Sequence, residues 1–66
     1  MIGLLPSVAQ TLNNVGDLDR ARNWVEEARN EYTEALDIYE TLAKNKPQKF
    51  SLAVTEERNV LGELAK

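Results

Sequence analysis

The chain has 66 residues, a net charge of −3, no cysteine and no histidine. A domain of that size buries only about 60% of its unfolded surface, so stability has to come from helix packing or from association with another copy or a partner. The missing cysteines exclude a disulfide or thiolate metal staple, and together with the missing histidines they remove the usual thiol nucleophile and general base. The composition, 42% hydrophobic and 29% charged, is that of a soluble globular chain rather than a disordered one. A mildly acidic balance argues against nucleic acid as a partner, since phosphate binding wants clustered cations. No apolar run approaches the roughly 18 residues of a membrane span. The opening MIGLLPSV lacks the basic start and the apolar length of a signal peptide. A cytoplasmic protein without a membrane partner is the expectation.

Residues 1–6 read as a leader, with Leu4 and Leu5 available to pack on the body. Ser7 has the chemistry of an N-cap, and Gln10 three residues later completes a capping-box pattern. Val8, Leu12, Val15 and Leu18, with Ala9 and Ala21 beside them, then trace one face of a predicted first helix over about residues 7–22. Gly16 lies inside it. A mid-helix glycine costs about 1 kcal/mol relative to alanine, so it is either simply tolerated or marks close approach by a neighbouring helix. We favour the second, because a matching glycine recurs below. Asn23 is the one plausible break before the next helix: asparagine tolerates the left-handed conformation that ends helices, and it can also cap the following helix, with Glu26 three residues on. One continuous helix over residues 7–44 is the rival reading. A hinge this short is where domain swapping would occur.

The longest regular stretch follows, a predicted second helix over about residues 24–44. Ala28, Tyr32, Ala35, Tyr39 and Leu42 recur at spacings of four, three, four and three, which is a helical stripe. Leu36 and Ala43 widen it on one side and Ile38 on the other, so two neighbours can cover it. Lys44 and Lys46 suit its C-terminus, Asn45 suits a left-handed cap, and Pro47 forbids continuation. A third helix is predicted over about residues 49–65. Phe50, Ala53, Val54, Val60, Leu61 and Leu64 form its apolar face, interrupted by Glu56, Glu57 and Arg58. Both connections are short, so sequence neighbours should run antiparallel. The fold class is all-α, an antiparallel three-helix unit.

An offset of 46 residues lays the first helix on the third: Val8 on Val54, Asn13 on Asn59, Gly16 on Gly62, Leu18 on Leu64 and Arg20 on Lys66. A helical hairpin repeated at such a period is the signature of a solenoid. Leu12, Val15-Gly16, then Ala28, Tyr32 and Ala35 resemble the tetratricopeptide-repeat pattern, a large residue and Leu-Gly followed by a small-aromatic-small series on the second helix. TLNNVG and EALDIYE look like the longer variety found in kinesin light chains and microbial repeat arrays. The resemblance covers residues 7–43 as one repeat and residues 51–66 as the first helix of the next. Three features depart from it: Asp19 stands at the family's tyrosine position, Arg58 stands where Leu12 stood, and the second helix overruns by about two turns. Arg58 fits a terminal cap with a polar outer side. The microtubule-interacting-and-trafficking domain, a three-helix module of similar size, is the alternative family; the EEA after Asn23-Trp24 fits it less well, by one residue.

Few residues suggest chemistry. Ser7 and Ser51 are better explained as caps than as nucleophiles. Glu27, Glu31 and Glu34 share one flank of the second helix and read as a solvated acidic face rather than a cation site, which recruits more oxygens in a shaped loop. Tyr32 and Tyr39 read as core, and Trp24 as packing over the first turn unless it is exposed, when it marks a contact site. The acidic second helix and the basic Lys44, Lys46 and Lys49 can also steer association between chains. No cofactor, metal or catalytic residue is expected. The family resemblance implies a protein–protein interaction module with a concave partner-binding face lined by Gln10, Asn13, Asp17 and Arg20, and by Glu56, Asn59, Glu63 and Lys66. Asn14 matches one asparagine of the carboxylate-clamp subgroup, but Asp17 stands where that subgroup has asparagine, and Asn13 where it has lysine. The resemblance therefore implies a neutral or basic protein or peptide partner rather than an acidic one. Fewer than three repeats rarely bury a stable core, so a homo-oligomer is expected, either alongside peptide binding or as a purely structural assembly.

Overall fold

The structure, a computed structural model, describes residues 4–64. It contains three helices, α1 (Leu5–Ala21), α2 (Val25–Asn45) and α3 (Pro47–Leu64), and among the described residues no strand. Lys66 and the first residues of the leader lie outside the described residues.

The helix ends differ from the caps expected of the serines. α1 starts at Leu5 with Leu4 as its N-cap residue, no side-chain cap bond, and proline in its first turn. Pro6 is accommodated there because a first-turn N–H has no helical partner, and Ser7 falls inside the helix. Ser51 likewise sits inside α3, where its hydroxyl donates to the Pro47 carbonyl one turn back. Asn23 is a turn and not part of a continuous helix. Its φ is 65°, the only positive φ of a non-glycine residue among those described. The Asn23 N–H donates to the Arg20 carbonyl at 3.0 Å and the Trp24 N–H to the Asp19 carbonyl at 2.8 Å, the two bonds of a Schellman ending. Asn23 therefore closes α1 and does not cap α2; Trp24 is the N-cap residue, and Glu26 and Glu27 place negative charge in the first turn. At the other end Asn45 stays helical. Lys46, forced out of the helical region by the proline that follows it, has φ −136° and ψ 72°, and its carbonyl accepts from Lys49 and Phe50 to open α3.

α1 and α3 each pack on α2 and not on each other; no Cα of one lies within 8 Å of the other among the described residues. Contacts of α1 with α3 pass only through side chains. Arg20 meets Glu63 at 3.1 Å, and Asn13 faces Glu57, so the two outer helices run parallel to each other and antiparallel to α2. The extents, 34 × 22 × 12 Å, are those of helices laid side by side at the usual 8–10 Å spacing. The result is an open layer rather than a closed bundle.

The stripe of α2 is buried as its spacing predicts: Ala28, Tyr32, Ala35 and Leu42 are inside, and Tyr39 is half-buried. On α1 the buried stripe is rotated by one residue from the expected one. Ala9, Gly16 and Asp19 face inward, while Val8, Val15 and Leu18 are exposed and Leu12 is half-buried. Small residues let the α1 backbone come close to α2, and the large ring of Tyr32 fills the space that remains. On α3, Phe50 and Glu57 are buried; the Phe50 ring lies 6.3 Å from that of Tyr39, a normal tilted aromatic pair.

The two glycines matched by the 46-residue offset sit in different surroundings. A Cβ on Gly16 would stand 2.9, 3.0 and 3.2 Å from three ring atoms of Tyr32, whereas one on Gly62 would meet nothing within 4 Å. Gly16→Ala is expected to destabilise by about 1 kcal/mol or more, the overpacking outweighing the gain in helix propensity. Gly62→Ala should instead stabilise by up to about 1 kcal/mol. Urea unfolding of both variants checks this, and equal shifts of one sign would refute the close approach. At the turn, Asn23→Gly should be tolerated while Asn23→Val costs about 1–2 kcal/mol, read as a lowered urea midpoint.

Candidate functional site

The open layer leaves a groove between α1 and α3, with α2 as its floor and a volume of about 380 Å³. α1 contributes Gln10, Asn13, Asn14 and Asp17, spaced three or four residues apart so that they share one helical face. Tyr32 and Tyr39 come up from α2, and Ala53, Glu56, Glu57 and Val60 line the α3 wall.

Of the partner-facing residues proposed from sequence, Gln10, Asn13, Asp17 and Glu56 meet on this groove. Arg20 and Glu63 form an ion pair, both side chains largely exposed, whose contribution to stability is at most about 1 kcal/mol. Asn59 is exposed and does not line the groove. Asn14 belongs to the lining, and so do Tyr32, Tyr39 and Glu57, read above as core or as interruptions. The signal for Glu57 was available: it occupies the position between Ala53 and Val60 on the stripe that begins at Phe50.

The groove is lined by three carboxylates, three side-chain amides and two tyrosines. The Tyr32 hydroxyl donates to the Asp17 carboxylate; burial, then this bond, pushes the phenol up to about 12, with Arg20 acting the other way. Glu57 is 4% exposed. Its Oε2 and the Oδ1 of Asn13 are buried without a hydrogen-bond partner. Burial raises the Glu57 pKa above the usual carboxylate range; the Asn13 amide opposes that shift, and the Asp17 and Glu56 charges add to it. Tyr39 is raised by burial and then by Glu57 and Glu56. No cation lines the groove.

The acidic flank of α2 is less solvated than expected. Glu31 is half-buried, one of its oxygens lacks a partner, and its pKa is raised to about 6, chiefly by the hydrogen bond it shares with Asp19, then by burial and by the Asp19, Glu27 and Glu34 charges. Trp24 is 50% exposed, with the Arg22 guanidinium 5.3 Å above its ring. Exposed Val8, Val15 and Leu18 continue this apolar surface along α1. A second furrow, of about 710 Å³, runs on the α2–α3 side past Asp37, Lys44 and Thr55, where Arg58 and Glu40 are paired at 2.7 Å. Among the described residues no three acidic side chains converge to hold a metal ion, and no helix is long and apolar enough to cross a membrane.

Comparison with known proteins matches no family model, no curated protein and no solved structure.

The raised carboxyls fix a direction for pH dependence. Between the ordinary 4.5 and about 6, folded Glu31 keeps a proton that the unfolded chain has lost; stability then falls as pH rises through that window. Glu57 acts with the same sign. The melting temperature followed by circular dichroism should drop between pH 4.5 and 6.5. Glu31→Gln should raise it at pH 7 and flatten the profile. A profile that rises with pH across this window would contradict the carboxyl pairing.

Proposed function

We propose that the chain is a non-catalytic protein–protein interaction module of helical-repeat type, acting in the cytoplasm, whose α1–α3 groove takes an extended peptide or a partner helix of neutral or basic character. The observation that carries this reading is the open layer: α1 and α3 flank α2 without touching through their backbones, and the groove between them holds polar side chains with unpaired acceptors. An open layer of antiparallel helices leaves faces to which a further unit could stack, as solenoids do, and this supports the tetratricopeptide-like reading over a closed three-helix adaptor. Asn13, half-buried at the α1 wall, supplies an amide suited to the backbone of an extended peptide.

A second reading has its own observation. Val8, Val15, Leu18 and Trp24 are exposed on one side of α1 and the adjoining turn, and covering such a patch by another copy gives a structural assembly. Light scattering across a wide concentration range separates the two when combined with amide chemical shifts in the presence of peptide. A monomer whose Asn13 and Glu56 amides respond to peptide, with Asn13→Ala weakening binding about tenfold and leaving mass unchanged, supports the groove. A dimer that dissociates on Leu18→Glu, without any peptide response, supports assembly and sinks the groove reading.

A further inference from the structure

We propose that the base of the α1–α3 groove is a receptor for one cationic side chain, a lysine or arginine of the bound peptide, held by the Glu57 carboxylate with Asp17 and Glu56 beside it. This inference rests on the reading of the groove as a peptide site.

Folding alone does not explain the residue at position 57. Glu57 lies on the inward stripe of α3 and is 4% exposed. An apolar side chain there would fill the seam with α2 at no electrostatic cost, whereas a carboxylate taken out of water needs a partner. Its Oε2 has none. The groups facing it do not help: Asp17 from α1 and Glu56 from its own helix are both acidic, and they make its charge harder to hold. The hydroxyl proton of Tyr32 is already given to Asp17. Arg20 is engaged with Glu63 and Arg58 with Glu40 on the other side of α3. The Asn13 amide is the neutral exception, and its Oδ1 is itself a buried acceptor without a donor.

Beside Glu57 the site therefore gathers carboxylates from two helices against the single uncharged amide of Asn13, and no cation is among its lining residues. An ammonium offers three donors and a guanidinium five. Either would satisfy Glu57 and Asn13 at once and relieve the repulsion among three carboxylates. The shape agrees. A space of about 380 Å³ walled by Ala53, Val60 and the Tyr39 ring matches an aliphatic stem carrying its charge inward. A calcium or magnesium ion instead takes six or more oxygens in a tight shell, and among the described residues no group of three acidic side chains converges to hold a metal ion.

The test uses the full chain and four pools of N-acetylated, C-amidated hexapeptides. One inner position is fixed as Lys, Arg, norleucine or Glu, and the others are drawn from Ala, Ser and Gln. Amide chemical shifts locate binding and titration ranks it. The expected result is that the Lys and Arg pools perturb residues 13–17 and 56–60 and bind about tenfold more tightly than the norleucine pool. Glu57→Gln, which is isosteric and keeps the helix, should abolish that preference. Glu34→Gln, on the exposed face of α2, should leave it intact. If norleucine binds the groove as tightly as lysine, the cation receptor is wrong and the peptide site stands. If no pool perturbs the groove, both are wrong. A lysine preference that survives Glu57→Gln but declines with Glu34→Gln reports general attraction to an acidic chain, and it also overturns the proposal.

Discussion

The contact between Gly16 and the ring of Tyr32 sets the geometry of the whole layer. It brings the α1 backbone against the widest residue of α2 at a separation that leaves no room for a Cβ. The Tyr32 hydroxyl reaches past this contact to Asp17, so one side chain both spaces the two helices and fixes their rotation. The ring is almost wholly buried, at 1% exposure, and a buried aromatic of this size dominates the apolar area available to so small a chain. Around it the core is otherwise made of alanines, with Leu42 and Phe50 closing the far end.

That spacing has a consequence for the outer flank of α1. A helix presents one stripe to its neighbour, and here the stripe is taken by Ala9 and Gly16. Val8 and Val15, each one residue earlier and about 100° around the helix, are turned away from α2 and stay exposed. Close packing of α1 on α2 and burial of the branched residues of α1 are therefore mutually exclusive within one chain. Trp24 and Val25, placed by the turn at Asn23, extend the same apolar surface. The layer stays open on this side for a packing reason and not for lack of apolar residues.

The parts of the fold legible in the sequence were those fixed by backbone chemistry and long periodicity. Pro47 ended α2 because it must, and it drove Lys46 into an extended conformation. The repetition of alanine, tyrosine and leucine along α2 marked the stripe that is buried. The stripe of α1 was harder to read, since hydrophobicity points to valine and leucine, while the structure buries the smaller residues that allow close approach. The serines were misread as caps because a cap is set by where the helix starts, and proline in the first turn started α1 earlier. For the groove, four of the eight partner-facing positions, Gln10, Asn13, Asp17 and Glu56, converge on one surface; Lys66 lies outside the described residues. Asn59 was placed there by the 46-residue offset, and the unequal surroundings of Gly16 and Gly62 show that the offset does not carry burial from one helix to the other. The floor of the groove was illegible because it depends on which face of α2 lies between two parallel helices, a tertiary fact without a local signal.

Glu57 is where the local and global demands on this chain conflict. Every neighbour on its stripe that faces α2, from Phe50 to Val60, is apolar, and periodicity asks for an apolar residue there too. A residue that breaks the pattern of its own stripe, with only the Asn13 amide to oppose the cost of its burial, is expected at a functional or a strained position. The electrostatics point the same way. Glu26, Glu27, Glu34 and Asp37 of α2 are exposed, where repulsion is screened; Glu57, with Asp17 and Glu56 beside it, instead lines a partly enclosed space in which charge interacts more strongly. Burial, and then the Asp17 and Glu56 charges, hold the Glu57 proton more tightly than usual, and the Asn13 amide only opposes that shift. A positive charge placed in the groove would meet a carboxylate already taken out of water, whereas one beside the exposed Glu27 and Glu34 of α2 would compete with solvent for screened charges.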